Sequence, residues 1–194
     1  MRKSILGVGI NDSECSVYKF KTVDGKRVLI SVCPYYQRWK DMLTRCYNPR
    51  FAKKNKSYFG CTVCDDWLYF SNFKAWMELQ DWNGKHLDKD IINQGNKVYS
   101  PENCAFVLYS TNQFIVNTNK KFGDLPIGAS VNSRTGKYCA YIGVKGKKVF
   151  LGDFDTAEEA SMAWRLEKFR LAVEISKKES DNRVVAAIVD RFAI

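Results

Sequence analysis

Four cysteines are spaced so that their thiolates could come from neighbouring elements and hold a zinc ion. Cys61 and Cys64 form a Cys-x-x-Cys pair, and Cys46 and Cys104 lie in flanking segments. A structural zinc site takes four such ligands at tetrahedral corners. The alternative is that each cysteine is a small buried hydrophobic residue, which is how free cysteine commonly behaves. A lone Cys-x-x-Cys pair leaves both interpretations open.

A second set of residues could bind phosphates. Between Asn132 and Phe150 the chain carries five cations and no carboxylate, with aromatic residues between them. Because successive side chains of a strand point to opposite faces, one face of a sheet here can pack on a helix while the other presents cations. Such a sheet fits the DNA major groove. The residues predicted to contact DNA are Asn132, Arg134, Lys137, Tyr138, Tyr141, Lys145, Lys147 and Lys148.

The alternative for this basic segment is a solvated sheet edge whose lysines only discourage aggregation. The composition of the whole chain favours a phosphate-rich partner, since 31 Lys and Arg against 21 Asp and Glu give 194 residues a net charge of +10. A protein that is merely basic is the other explanation.

Apolar runs and cysteine count bear on the location of the protein. No stretch approaches the roughly 20 apolar residues that a membrane span needs, and the N-terminal apolar run is too short for a signal peptide. We therefore expect no membrane partner and a cytoplasmic location. Seven cysteines are an odd number, which favours reduced thiols or metal ligands over a disulfide framework.

Turn residues and apolar periodicity predict the elements in the first part of the chain. Asp24-Gly25 is a hairpin signal and predicts a β-hairpin within residues 1–34. Helical spacing begins at Tyr36, just after Pro34, and a second stripe predicts a helix over Asp66–Leu79. The stripes expected to face the core are Tyr36, Trp39 and Leu43, then Trp67, Phe70, Phe73 and Met77.

A strand, a loop, a second strand and a helix follow. The strands are predicted at His86–Ile92 and Asn103–Leu108, with a loop through Gly95 and Pro101 between them, and the helix starts near Thr111. This β-loop-β-helix unit completes a central domain assigned to residues 35–119.

The polar segment at 117–126 is predicted to be a linker to a second domain at 126–176. That domain has strands separated by turns at Thr135-Gly136 and Lys145-Gly146, followed by a helix whose capping box begins at Thr156. Residues 180–194 are predicted to form a terminal helix that packs on the domain, with dimerisation as the alternative. The expected fold class is α+β, with a three-stranded antiparallel sheet packed on a helix.

Residues 126–170, PIGASVNSRTGKYCAYIGVKGKKVFLGDFDTAEEASMAWRLEKFR, resemble the Apetala/ethylene-response-factor type of DNA-binding domain. The Gly-Lys-Tyr-x-Ala-Tyr-Ile segment, the Gly-Lys-Lys turn, Leu-Gly-Asp-Phe and the Thr-Ala-Glu-Glu-Ala helix start fall in the order and spacing of that family. The resemblance implies binding to double-stranded DNA. In the family the first strand usually carries base-contacting arginines, whereas this chain has Gly-Ala-Ser-Val-Asn at 128–132. The DNA sequence preference of the family is therefore not transferred.

Much of residues 36–117 resembles phage HNH-type homing endonucleases, which often carry the same type of C-terminal domain. The residues that carry the resemblance are Tyr47, Asn48, Gly60, Cys64, Asp66, Trp67, Phe70, Phe73, Leu87, Asp88, Lys89, Asp90, Tyr99, Ser100, Pro101, Glu102, Asn103, Cys104, Asn112 and Gln113. This resemblance implies a ββα-metal unit built around one divalent ion.

Position by position, the resemblance makes Asp88 the first ligand and Asn112 the second ligand of Mg²⁺ or Mn²⁺, with Asn103 stabilising the loop. Lys89 falls where the family has the histidine that activates water, and a protonated ammonium cannot accept a proton from water. His86 is the alternative base, although strand alternation places it on the face of Asp88. The plainer alternative is that Asp88 caps backbone groups of a loop and that Asn103 stabilises a turn.

Together these observations predict a DNA-binding protein related to phage HNH homing endonucleases, in which phosphodiester cleavage is weak or lost. Two alternatives stay open: an active magnesium-dependent homing endonuclease or nickase, and an interaction protein whose basic surface binds an acidic protein. Salt-dependent DNA binding separates the interaction protein from the two DNA-binding functions. Metal-dependent nicking separates the active endonuclease from the DNA-binding protein that has lost cleavage. Magnesium or manganese is the expected cofactor, with zinc as the alternative.

Overall fold

The structure is a computed structural model and describes residues 4–116 and 124–194. Within these ranges helices alternate with small sheets, which confirms the predicted α+β class. The chain divides into two compact units, Met1–Phe106 and Val107–Ile194. The sequence placed the domain boundary later, in a linker at 117–126, most of which lies outside the described residues.

The first unit contains the predicted hairpin. Strands β1 (Tyr18–Val23) and β2 (Lys26–Val32) pair antiparallel. Asp24 and Gly25 between them have φ values of 49° and 72°, which is the conformation of a tight two-residue hairpin turn. Glycine at the second position adopts this conformation without steric cost, so the turn follows directly from the Asp-Gly pair.

Aromatic side chains from helices form the core of the first unit. Helix α1 (Pro34–Tyr47) begins at a proline, and α2 (Pro49–Lys54) begins after Asn48, whose side chain accepts the first backbone N–H groups of that helix at 2.9 and 3.2 Å. The indole of Trp39 donates to the backbone oxygen of Trp67 at 2.7 Å. The predicted stripe of α1 is buried, as Tyr36, Trp39 and Leu43.

The second predicted helix is interrupted. In place of one helix over Asp66–Leu79, the chain makes a 3₁₀ turn at Asp65–Leu68, an extended residue at Tyr69 and helix α3 (Phe70–Glu78). The cause is a parallel bridge between Ile10 and Tyr69, whose flanking backbone hydrogen bonds measure 2.8 and 3.0 Å. The predicted stripe still faces the core, as Trp67, Phe70, Phe73 and Met77.

Four short strands form two small sheets. Strand β3 (Thr62–Val63) pairs in parallel with β5 (Val98–Tyr99), and β4 (His86–Asp88) pairs with β6 (Ala105–Val107). The strands β4 and β6 are therefore shorter than predicted. The loop between β4 and β6 is held by hydrogen bonds of the Asp88 carboxylate and of side-chain amides, and the strand pairing does not continue into it.

The second unit is a sheet with helices. Its elements are α4 (Tyr109–Val116), β7 (Ala129–Val131), β8 (Tyr138–Val144), β9 (Lys147–Phe154), α5 (Ala157–Ser176) and α6 (Asn182–Phe192). The three strands form one antiparallel sheet in the order β7-β8-β9. The predicted capping box is present: Thr156 Oγ accepts the Glu159 backbone N–H at 3.2 Å, and the Glu159 carboxylate accepts the Thr156 backbone N–H at 3.1 Å.

The terminal helix α6 is a packing element of this unit. Its side chains at Val184, Ile188 and Phe192 are buried. The ring of Phe192 meets that of Phe114 on α4 with 5.2 Å between centroids. The ammonium of Lys168 on α5 donates to the backbone oxygen of Phe114 at 3.0 Å, so α4, α5 and α6 are joined. None of the helices in residues 4–116 and 124–194 has the length and apolar character needed to cross a membrane.

Candidate nucleic-acid interface

Turns close both ends of the three-stranded sheet. At the β7–β8 end the backbone oxygen of Asn132 accepts the N–H of Gly136 at 2.8 Å, and its side chain accepts the N–H of Arg134 at 3.1 Å. At the β8–β9 end Lys145 and Gly146 have φ values of 49° and 77°, as a tight hairpin turn requires. The seven residues of β8 separate the two turns by about 20 Å.

A β-bulge decides which side chains share a face of the sheet. Ala140 pairs with Gly152 and Tyr141 pairs with Phe150, so Leu151 is an extra residue in β9. The bulge keeps Leu151 among the residues that pack against the helix and leaves Phe150 on the opposite face. A glycine inside a strand is a common mark of such a bulge.

The helix-facing side of the sheet is closely packed. Buried alanines of the sheet and of α5 meet there, and the approach is close enough that a Cβ at Gly128 would lie 2.2 Å from the ring of Trp164. Tyr138 packs on this side. Strand alternation turns the Tyr138 ring towards the helix, so the predicted contact of Tyr138 with DNA stays a prediction that this packing does not support.

The opposite face, called the outer face below, presents aromatic rings and a lysine. Tyr141 and Phe150 lie side by side with 5.1 Å between ring centroids, and Phe150 is 51% exposed. The ammonium of Lys148 lies 4.0 Å from the centroid of the Tyr141 ring. This arrangement holds a cation above the half-buried Tyr141 ring and leaves the neighbouring Phe150 ring open to solvent.

The two ends of the sheet differ in charge. The Lys137 ammonium lies 3.0 Å from an Asp155 oxygen, and this hydrogen bond raises the pKa of Lys137. The Asn132 amide lies 3.5 Å from an Asp153 oxygen at the same end. At the other end, Lys145, Lys147 and Lys148 make no ion pair with any part of the chain that the structure describes. The positive field is thus concentrated at the β8–β9 turn.

The carboxylate of Asp88, the predicted first metal ligand, is used by the loop that follows it. One oxygen accepts the backbone N–H groups of Asp90 at 2.9 Å and of Ile91 at 2.7 Å. Burial raises the pKa of Asp88, and the nearby Asp90 carboxylate adds to the rise. These contacts turn the chain away from the strand direction and end β4. These contacts match the alternative in which Asp88 caps backbone groups of a loop.

Lys89, at the position expected for the general base, is buried. It is only 5% exposed, and its ammonium lies 3.3 Å from an Asp90 oxygen and 6.0 Å from the centroid of the Tyr58 ring. His86 is half-buried and lies two residues before Asp88 on β4, so alternation puts these two on one face. Because Lys89 is buried beside Asp90, a water molecule has little room to approach its ammonium.

Side-chain amides fasten the loop between β4 and β6. Asn103 accepts from the Asn93 amide at 2.8 Å and donates to Ser100 Oγ at 3.0 Å. Asn96 donates to the backbone oxygens of Lys89 at 2.6 Å and Val98 at 2.7 Å. The predicted role of Asn103 in stabilising the loop matches this geometry, whereas the contributions of Asn93 and Asn96 were missed.

Asn112, the predicted second metal ligand, lies in the second unit, while Asp88 lies in the first. Asn112 is half-buried in the first turn of α4, where its backbone N–H donates to Leu108 at 3.1 Å. No group of three or more His, Cys, Asp or Glu side chains arranged to hold a metal ion occurs in residues 4–116 or 124–194.

The four cysteines proposed as zinc ligands are free thiols. Cys61 and Cys104 are buried in the core of the first unit, and Cys46 and Cys64 pack against it. Burial raises the pKa of Cys46 to about 12 and also raises the pKa of Cys64 and Cys104. Placement in and against the apolar core is what the alternative of small buried hydrophobic residues expects, and zinc stays a prediction of the sequence.

Comparison of the chain with family models, with curated proteins and with solved structures gives no match. The two resemblances therefore stay predictions of the sequence, and the site has to be judged by its geometry.

Sequence reasoning missed residues that shape the outer face. Phe150 was left out of the predicted contacts, although Gly152 within the strand indicates the bulge that turns it outwards. Asp153 and Asp155 were overlooked because they follow the basic segment in sequence. Counting the hairpin register would have found them, since Tyr138 pairs with Phe154 and so brings Lys137 beside Asp155.

Proposed function

We propose that this protein binds double-stranded DNA through the outer face of its three-stranded sheet, at the end that carries the β8–β9 turn. The observation that carries the proposal is the pairing of exposed Phe150 with half-buried Tyr141, whose ring lies beneath the ammonium of Lys148. Lys145 in the turn and Lys147 at the start of β9 add positive charge at this end of the sheet, although alternation places Lys147 on the helix side, opposite Lys148.

The shape of the surface favours duplex DNA over an acidic protein. Three strands about 4.8 Å apart span about 10 Å, which suits a major groove about 12 Å wide. Lysines at the turn can reach phosphates, while the rings of Tyr141 and Phe150 supply apolar contact with sugars or thymine methyl groups. An acidic protein partner explains the lysines but gives no particular role to the exposed Phe150 ring beside Tyr141.

The salt dependence of binding should report the number of phosphates contacted. Each phosphate neutralised by a lysine or arginine releases counterions, so log affinity falls with log salt at a slope of about 0.9 per contact. We expect roughly four to eight contacts for the whole protein. Salt-independent binding, or none at low salt, would contradict DNA as the ligand.

Cleavage of DNA is proposed to be weak or absent. The support is the burial of Lys89 where the HNH resemblance expects a base, and the engagement of an Asp88 oxygen by two backbone N–H groups. Magnesium or manganese remains a prediction of that resemblance only. The described residues contain no group of three or more His, Cys, Asp or Glu side chains arranged to hold a metal ion around Asp88.

Removing the three lysines of the β8–β9 turn tests the proposal. We expect Lys145→Ala/Lys147→Ala/Lys148→Ala to weaken binding to a fluorescent duplex and to make the salt slope shallower by about three. The matched control is Arg165→Ala/Lys177→Ala/Lys178→Ala, which removes the same charge from exposed positions on and just after α5. Equal losses in both variants, with unchanged circular dichroism, would place the interface elsewhere.

A further inference from the structure

The β1–β2 hairpin, called the ribbon below, is exposed along nearly its whole length. Its root is fixed, because Tyr18 and Val32 pack against the core of the first unit and the Tyr18 ring meets that of Tyr36 at 5.6 Å. Beyond the root, every residue from Lys19 to Ser31 is exposed. A two-stranded ribbon without a packing surface is only marginally stable in water, so the ribbon gains from a partner.

Apolar side chains on the ribbon are open to solvent. Phe20, Leu29 and Ile30 are 43%, 48% and 59% exposed. Phe20 and Leu29 pair across the strands, and the guanidinium of Arg27 lies 3.9 Å from the centroid of the Phe20 ring. The face of the ribbon that carries Phe20, Arg27 and Leu29 therefore combines an arginine with apolar contact area. The outer face of the sheet similarly combines a lysine with aromatic rings.

The register places three lysines on the other face of the ribbon. Lys19 pairs with Ser31, Lys21 pairs with Val28, and Val23 pairs with Lys26, so alternation sends Lys19, Lys21 and Lys26 to one side. We call Lys19, Lys21 and Lys26 the lysine face. None of these lysines forms an ion pair with any residue in 4–116 or 124–194.

Charge selects among the partners that could cover the ribbon. Between Lys19 and Ser31 there are four cations and one carboxylate, that of Asp24 in the turn. A second copy of the ribbon would bring like charges together, which opposes pairing between copies. A polyanion compensates the lysine face along its length.

We propose that the ribbon is a second DNA-contacting element, which lies in a groove of the duplex with its lysine face directed to the phosphates. The inference rests on the proposed function for its ligand, but it assigns contact to a different unit of the chain. A two-stranded ribbon enters a major groove, and the six residues of β1 extend about 20 Å, or roughly six base pairs.

The test compares two charge-matched variants of the full-length chain on one duplex of roughly 30 base pairs, about three helical turns. Lys19→Ala/Lys21→Ala/Lys26→Ala removes the lysine face. Lys53→Ala/Lys54→Ala/Lys56→Ala removes the same charge from exposed positions in and after α2. We expect the ribbon variant to make the salt slope shallower by about three and the α2 variant to leave it nearly unchanged.

A measurement on the wild-type chain avoids dependence on the folding of the variants. Lysine acetylation followed by mass spectrometry should show that the duplex protects Lys19, Lys21 and Lys26 but not Lys53 or Lys54. Protection by phosphatidylserine vesicles and not by the duplex would overturn the proposal in favour of a membrane surface.

The outcomes separate this inference from the proposed function. If the wild-type chain does not bind the duplex, both are wrong. If the variant lacking Lys145, Lys147 and Lys148 loses affinity while the ribbon variant keeps the wild-type affinity and slope, the ribbon proposal alone is overturned. Equal changes in the ribbon and α2 variants also overturn it, because a general field effect then explains the loss.

Discussion

The loop region at 86–103 and the outer face of the sheet both carry lysine and other polar side chains but use them differently. In the loop region, Asp88 accepts two backbone N–H groups, Lys89 is buried beside Asp90, and Asn103 bonds to Asn93. On the outer face, Lys148 and Phe150 are exposed, and the lysines at the β8–β9 turn have no acidic partner among the described residues.

This difference shows that residue type and spacing do not separate side chains that stay open to solvent from those of a polar loop that stabilises itself. Buried backbone N–H groups need acceptors, and a short strand followed by a loop leaves several of them without ladder partners. Carboxylates and amides placed there satisfy the loop first. The lysines at the β8–β9 turn stay exposed and make no ion pair within the described residues.

The largest expected effect tests whether Asp88 is structural. We expect Asp88→Ala to lower the free energy of unfolding of the first unit by about 2–6 kcal/mol, because two backbone N–H groups lose their acceptor. The control is Asp88→Asn, whose amide oxygen can accept the same bonds and should retain most of the stability. Denaturant titration of both variants measures this. An Ala variant as stable as wild type would leave Asp88 free for another role.

The next effect separates the two faces of the sheet within one strand. Tyr138→Ala should destabilise the second unit by about 1–3 kcal/mol, since its half-buried ring packs on the helix side. Tyr141→Ala should keep the fold and weaken DNA binding by about fivefold, close to 1 kcal/mol. Thermal unfolding and duplex binding of both variants provide the measurement. The reverse pattern would mean that the assignment of the faces is wrong.

The third prediction concerns pH. The pKa of Asp88 is raised in the folded protein, so the native state holds this proton more tightly than the unfolded chain does. The resulting stabilisation is complete below the unfolded pKa of about 4 and is lost as pH rises through the folded pKa. The free energy of unfolding of wild type relative to Asp88→Asn should therefore fall as pH rises above about 4. A rising difference would show that the carboxylate is stabilised in its charged form.

A smaller effect sharpens the contrast between the two ends of the sheet. Asp155→Asn removes the partner of Lys137 and should strengthen duplex binding by about two- to fivefold at low salt, the range expected for one exposed ion pair. Asp190→Asn, an equal charge change at an exposed position of α6, is the control. If both variants bind more tightly by the same factor, net charge rather than the Lys137 end explains the gain.

The last variant is expected to change nothing in catalysis. Lys89→His places an imidazole at the position where the HNH resemblance expects the base, and general-base catalysis typically contributes about a hundredfold or more. Because that position is buried, we expect no magnesium- or manganese-dependent nicking of supercoiled plasmid by wild type or variant. Nicking that appears in Lys89→His would break the comparison and identify the loop region as a disabled catalytic site.

Local signals predicted much of this fold. The Asp-Gly and Lys-Gly turns, the capping box at Thr156 and the aromatic stripes of α1 and α3 are all present, because each depends on neighbours within a few residues. The break at Tyr69 was not predicted, since it depends on a bridge to Ile10 some 59 residues away. The bulge that turns Phe150 outwards was missed as well, because register belongs to a pair of strands and not to one.

The sequence by itself determined the basic character of the segment at 132–150, the two-hairpin form of its sheet and the positions of its turns, since charge and turn chemistry reside in adjacent residues. Only the tertiary structure decided which charges stay available. It brought Asp155 to Lys137, buried Lys89 beside Asp90 and left Lys148 exposed over Tyr141. The physical reason is that an ion pair or a hydrogen bond depends on distance in space, and the fold sets that distance between residues that composition and spacing cannot relate.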